Sequence, residues 1–136
     1  MKLEYNHDLT DNGKFKNIEI KNLIRLWDFG CNESKLFQEL INSFVLDASK
    51  FEVVLEAQEF ITSINCKLTL IKSDKNNGIE RISEDQFICN LNLDSYKHMI
   101  NLIEPFINHD SSGYQWLDEL ANPSEIDFLF SPGGTW

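Results

Sequence analysis

The stretch Leu36-Phe37-Gln38-Glu39-Leu40-Ile41-Asn42-Ser43-Phe44-Val45, followed six residues on by Phe51-Glu52-Val53-Val54-Leu55-Glu56-Ala57-Gln58, decides the fold class. In the first segment apolar residues recur at i, i+1, i+4, i+5, i+8 and i+9, which is the period of an amphipathic helix. Asn32 or Ser34 is placed to cap it after Gly30. In the second segment Phe51, Val53, Leu55 and Ala57 alternate with Glu52, Val54, Glu56 and Gln58, the period of a half-buried strand. A chain that changes period this sharply carries helix and strand in succession.

The same two periods recur on either side. Downstream, Ile64, Cys66, Leu68 and Leu70 alternate with Asn65, Lys67 and Thr69, and Phe87, Cys89, Leu91 and Leu93 alternate with Ile88, Asn90 and Asn92. The polar link Ser73–Asp85 with its Asn76-Asn77-Gly78 turn predicts that these two strands pair antiparallel. Asp94 or Ser95 then caps a second helix through Tyr96, Met99, Ile100, Ile103, Phe106 and Ile107, which Pro105 kinks or ends. Residues 114–120 read as a helical turn or two, and Ile126-Asp127-Phe128-Leu129-Phe130 as a last strand before the Pro132-Gly133-Gly134 turn. Upstream, Lys2–Tyr5 and Phe15–Ile20 are extended candidates flanking Asp11-Asn12-Gly13-Lys14, and Leu23–Phe29 reads as a buried strand. The expectation is α+β: a mainly antiparallel sheet with two principal helices packed on one face. No linker, repeat or low-complexity run divides residues 1–136, so one domain is expected.

Composition narrows the function classes. The chain has 136 residues, 12 Lys and Arg against 22 Asp and Glu, a net charge of −10 and 16 aromatic residues. That is enough apolar mass for a core without disulfides or metal staples. Direct nucleic-acid binding is disfavoured, because phosphate neutralisation needs clustered cations. The start has no signal-peptide h-region and no apolar run approaches a bilayer span, which predicts a cytoplasmic protein without a membrane partner. Cys31, Cys66 and Cys89 are odd in number, lack C-x-x-C spacing and read as reduced core thiols.

Each candidate chemistry in the sequence has a plain structural counterpart. His109-Asp110-Ser111 offers the residue types of a hydrolase, but triads meet in space rather than in a row, and a solvated turn explains the run. His7, His98 and His109 are scattered, so no metal is expected, and no Gly-rich phosphate loop occurs. Asp118-Glu119 could serve acid–base chemistry only with burial to tune it. No cofactor and no enzymatic activity are expected.

The informative signal is where the charge sits. Residues 98–136 contain no Lys or Arg and six acids, Glu104, Asp110, Asp118, Glu119, Glu125 and Asp127, interleaved with Tyr114, Trp116 and Trp136. Aromatics among carboxylates suit a surface that steers in a basic partner and anchors it. A solvated acidic face over core aromatics accounts for the same pattern. The candidate contact set is Asp110, Tyr114, Trp116, Asp118, Glu119, Glu125 and Asp127, with Glu52 and Glu56 as a second acidic group.

Leu26-Trp27-Asp28-Phe29-Gly30, Tyr114-Gln115-Trp116-Leu117 and the segment Ile126–Trp136 resemble the immunity proteins of bacterial polymorphic-toxin and contact-dependent growth inhibition systems. The resemblance covers mainly the last quarter of the chain. It implies a cytoplasmic, non-enzymatic protein that binds a cognate toxin domain, often a basic nuclease, and blocks its active site or substrate surface. An acidic interaction module with no toxin partner is the alternative, and a small enzyme a further one.

Overall fold

A computed structural model describes residues 1–7, 9, 13 and 22–136. Nine strands and two helices run in the order β1 (Lys2–Asn6), β2 (Asn22–Trp27), α1 (Cys31–Leu46), β3 (Glu52–Val54), β4 (Thr62–Ser63), β5 (Lys67–Lys72), β6 (Gly78–Arg81), β7 (Gln86–Leu91), α2 (Leu93–Ile103), β8 (Gln115–Trp116) and β9 (Ile126–Phe130) among the described residues. The class is α+β as expected, but the strands form two sheets, ordered β4-β1-β2-β9-β8 and β3-β5-β7-β6. Both sheets are mixed rather than purely antiparallel. β1–β4, β2–β9 and β5–β7 are parallel pairs, and the other four pairs are antiparallel.

The helices form where the period placed them. On α1, Phe37, Ile41 and Phe44 are buried, whereas Leu36 at the stripe's margin is exposed. On α2, Tyr96, Met99 and Ile103 are buried, and Pro105 ends the helix in a 3-10 turn, Glu104–Phe106. These residues join Leu3, Ile24, Leu26, Phe128 and Phe130 of the first sheet and Leu68, Leu70, Phe87, Cys89 and Leu91 of the second in a single apolar cluster. A fully buried Phe or Leu stabilises by roughly 2–3 kcal/mol. Phe130 is the hub, with the rings of Phe29, Phe37 and Phe106 at 4.5, 5.7 and 5.2 Å. Among the described residues no helix is long and apolar enough to cross a membrane.

Several expectations are corrected by the fold. β5 and β7 are parallel because Ser73–Asp85 hides β6. Gly78, at φ +74°, turns the chain, β6 takes the sheet edge, and β7 returns between β6 and β5. The strand expected over Phe51–Gln58 ends at Val54. There a 3-10 turn buries Leu55, and the Glu56 carboxylate accepts the Leu68 N–H at 3.1 Å. Glu52 and Glu56 therefore share no strand face, and Phe51 is 68% exposed. The strand expected from Ile64 begins at Lys67, and Ile64 is exposed. Residues 114–120 form no helix: Gln115 and Trp116 pair with Phe130 and Leu129, and only Leu117–Leu120 is turn, with the Glu119 and Ala121 N–H groups on the Trp116 and Asp118 carbonyls. Neither expected side chain caps α1; Gly30 stands at its N-cap position and Asp110 reaches in from another segment. Asn92, rather than Asp94 or Ser95, caps α2 by accepting the Ser95 N–H at 2.9 Å. The Phe15–Ile20 strand lies outside the described residues, as does the preceding turn apart from Gly13, whose φ is +86°.

Candidate functional site

The edge strand β8 and the turns around it gather part of the expected contact set. Trp116 faces Leu129 across the β8–β9 register, and Asp127, two residues from Leu129 on β9, lies on the same sheet face because strand side chains alternate. Tyr114 and Trp136 pack edge-on against Trp116 at 6.1 and 5.9 Å between ring centroids. Both remain open to solvent, at 44% and 48% exposure. The Pro132-Gly133-Gly134 turn brings Trp136 back to the sheet. The Gly134 N–H bonds the Ser131 carbonyl at 3.0 Å, and Ser131 Oγ bonds both the Thr135 carbonyl and its N–H.

Beside this strip sit two carboxylates in unfavourable surroundings. Burial pushes the Asp118 carboxyl up to about 6; the charge of Asp127 adds to the rise, and the Phe128 N–H opposes it. Burial likewise raises Asp127 above the usual carboxylate range. Among the described residues no ion pair reaches either group. A cation arriving from outside would therefore find Asp127 without a local countercharge, whereas Asp118 lies further in, its Oδ2 4.0 Å from where a Cβ on Gly78 would stand and its charge felt at buried Cys89.

The remaining expected residues are placed elsewhere. Asp110 Oδ1 accepts the Cys31 N–H at 2.9 Å, satisfying one open donor at the start of α1, so its carboxylate has a structural task. Glu119 bonds His98 Nε2 on α2 at 2.6 Å. Glu125 lines a separate groove of about 360 Å³ with Glu80 and Arg81. In the His109-Asp110-Ser111 run, Asp110 is committed to α1 and Ser111 Oγ accepts the Gly113 N–H, which fits a loop.

No family model, curated protein or solved structure matches this chain.

The sequence did not single out the feature that seats the C-terminal turn. Arg25 Nε and Nη2 bond Glu4 Oε1 at 2.8 and 2.5 Å, and Nη1 donates to the Gly134 carbonyl at 2.7 Å. The guanidinium lies 4.2 Å from the Trp27 ring centroid. Gly134 has φ +80°, and a Cβ there would stand 2.6 Å from Arg25 Nη1. Glycine is thus required both by the backbone and by the packing. A charged residue two positions before a Trp on a strand was the available signal, since alternation puts both on one face.

Elsewhere, Asn6 Oδ1 and Trp27 Nε1 are buried without a hydrogen-bond partner among the described residues, whereas the polar groups of a further groove are engaged within the chain. A groove of about 540 Å³ is lined by Tyr5, His7, Asn65, Arg81, Glu84 and Asp85. Its Arg81 is bound to the Ser83 and Glu84 carbonyls and lies over the Tyr5 and Phe87 rings. Asn65 makes two hydrogen bonds with the Tyr5 backbone, both at 2.8 Å. Among the described residues no group of three His, Cys, Asp or Glu could hold a metal ion. Cys66 and Cys89 are buried and Cys31 partly so, all as free thiols.

Proposed function

We propose that this chain is an immunity protein: a cytoplasmic, non-enzymatic inhibitor that binds a basic toxin domain and occludes its active site or substrate surface. The observation that carries this function is the juxtaposition at β8. Half-exposed Tyr114 and Trp136 flank Trp116, with the desolvated carboxylate of Asp127 on the same sheet face and that of Asp118 behind it, in a 39-residue segment without Lys or Arg. A nuclease must be cationic to hold nucleic acid, so an acidic protein can occupy the same groove and exclude substrate by its bulk. Long-range attraction raises the association rate, and aromatic anchors hold the complex.

Of the seven candidate contacts, Tyr114, Trp116, Asp118 and Asp127 form the centre. Asp110, Glu119 and Glu125 contribute charge from positions that already have structural or separate surroundings.

The test is co-expression with the polypeptide encoded beside this gene, scored by growth rescue, together with calorimetry of the purified pair at two salt concentrations. Rescue with binding that weakens as salt rises is expected. A harmless neighbour that does not bind would refute the inhibitor function. In that case, an acidic interaction module without a toxin is the surviving alternative.

A further inference from the structure

We infer that the open edge of β8 is a rail for an extended, arginine- or lysine-bearing segment of the partner, with its cations seated on Trp136 and beside Asp127. This rests on the proposed inhibitor function and says which part of the surface, and which chemistry in the partner, makes the contact.

β8 ends its sheet, with β9 on one side and no strand on the other among the described residues. The Leu117 N–H bonds the Phe128 carbonyl at 2.8 Å, so alternation turns the Trp116 N–H and the Tyr114 carbonyl away from β9. The Trp116 carbonyl is already taken by the Glu119 N–H at 3.2 Å. One outward donor and one outward acceptor, two residues apart, allow a short main-chain contact with a passing strand. That contact is too brief to hold a partner alone, so side chains must supply most of the affinity.

The side chains present are suited to a cation. Two ring surfaces, Tyr114 and Trp136, are about half exposed, and a guanidinium over an aromatic face is attracted by the ring quadrupole. The chain builds this arrangement for itself on the neighbouring strands, where Arg25 lies over Trp27 with Glu4 as the countercharge. On the β8–β9 face the ring of Trp136 lies against Trp116, and the Asp127 carboxylate stands two residues along β9 from Leu129, the partner of Trp116, with no cation paired to it among the described residues. Arg25 cannot serve there, because Glu4 and the Gly134 carbonyl engage it. Charge complementarity thus points to a basic occupant rather than to a second copy of this acidic chain.

The experiment is an NMR titration of the full chain, labelled with nitrogen-15, with a blocked hexapeptide of alternating arginine and valine. Its glutamate–valine counterpart is the charge control. Shifts should concentrate on the Trp116 and Trp136 indole N–H groups and on the amides of residues 114–117. They should be absent with the acidic peptide. Trp136→Ala should weaken binding roughly 10-fold and Asp127→Asn a few-fold, with the rest of the spectrum unchanged. No shift up to about 5 mM peptide, or shifts centred on Glu52 or on the Tyr5–Arg81 groove, would overturn the inference. A second arm separates it from the function it rests on. Growth rescue that survives in the Tyr114→Ala/Trp136→Ala variant overturns this edge and leaves the inhibitor function standing. Failure of rescue by the unaltered chain overturns the function, and the peptide titration still decides the edge.

Discussion

Replacing Asp118 with Asn should stabilise the protein at neutral pH and leave it unchanged in acid. Burial holds this carboxyl at about 6, against 3.8 in an exposed peptide. The folded state therefore binds more protons than the unfolded state between those two values. By linkage, stability falls as pH rises from about 4 through about 6, and the loss is complete above that window. Its size is up to roughly 3 kcal/mol at pH 7.5, which for 136 residues corresponds to about 10 °C in melting temperature. Asn is nearly isosteric with the protonated acid and can still accept from the Phe128 N–H. Urea unfolding of both proteins at half-unit steps from pH 4 to pH 8 measures the effect, and the difference between them cancels every other titrating group except Asp127, which shares the field. The two curves should coincide near pH 4 and diverge by pH 7, with equal denaturant slopes. A difference independent of pH, or an Asn variant less stable at pH 7.5, would refute the claim that desolvation of an ionised Asp118 costs stability.

Three other outcomes follow from single contacts. The Tyr96 hydroxyl lies 2.8 and 2.9 Å from the Ile71 and Cys89 carbonyls, bridging β5 and β7 in the interior. Tyr96→Phe should therefore cost about 1–2 kcal/mol in chemical unfolding with no change in far-ultraviolet dichroism. Asp110→Ala removes the side-chain acceptor from the start of α1 and should cost about 1 kcal/mol. Asp110→Asn should recover most of this, since the amide oxygen can take the same N–H. Burial pushes the Cys66 thiol up to about 12 and likewise raises Cys89 well above the usual thiol range, whereas Cys31 is partly exposed. Native protein at pH 8 should thus titrate one fast thiol with a disulfide reagent, and all three in denaturant. Three fast thiols without denaturant would contradict the core assignment.

Much of the fold is legible along the chain because much of it is local. The 3.6 period over residues 36–45 and the alternation over 87–91 locate α1 and β7 from spacing alone, and Pro105 marks the end of α2 by the hydrogen bond it cannot make. Sheet partnership is different in kind. β2 beside β9 joins residues about a hundred positions apart, and its parallel sense depends on the path of the chain between them. β6 is the instructive miss. Four residues with one deeply buried side chain, Ile79, lie in a run that is otherwise polar, so alternation has nothing to show until β7 fixes them by hydrogen bonds. Phe51 errs the other way. Its apolar character is plain in the sequence, but the chain turns at Leu55 and leaves it in solvent.

The site follows the same division. That residues 98–136 lack cations is visible by counting, and so are the aromatics among the acids. What counting misses is that carboxylates of identical type do different work. Asp110 holds a helix end and Glu119 meets His98, so their charges are already engaged. Asp118 and Asp127 are desolvated and raised, a property set by what packs around them after folding. Under the proposed inhibitor function, this difference is what sets Asp118 and Asp127 apart from the solvated acids. A solvated carboxylate gains little from a partner's cation, because water already stabilises its charge. A carboxylate already desolvated in the free protein can meet a guanidinium with little further loss of its own hydration, provided no larger desolvation cost is imposed on the cation. Asp118→Asn should accordingly raise stability and lower affinity for a basic partner together.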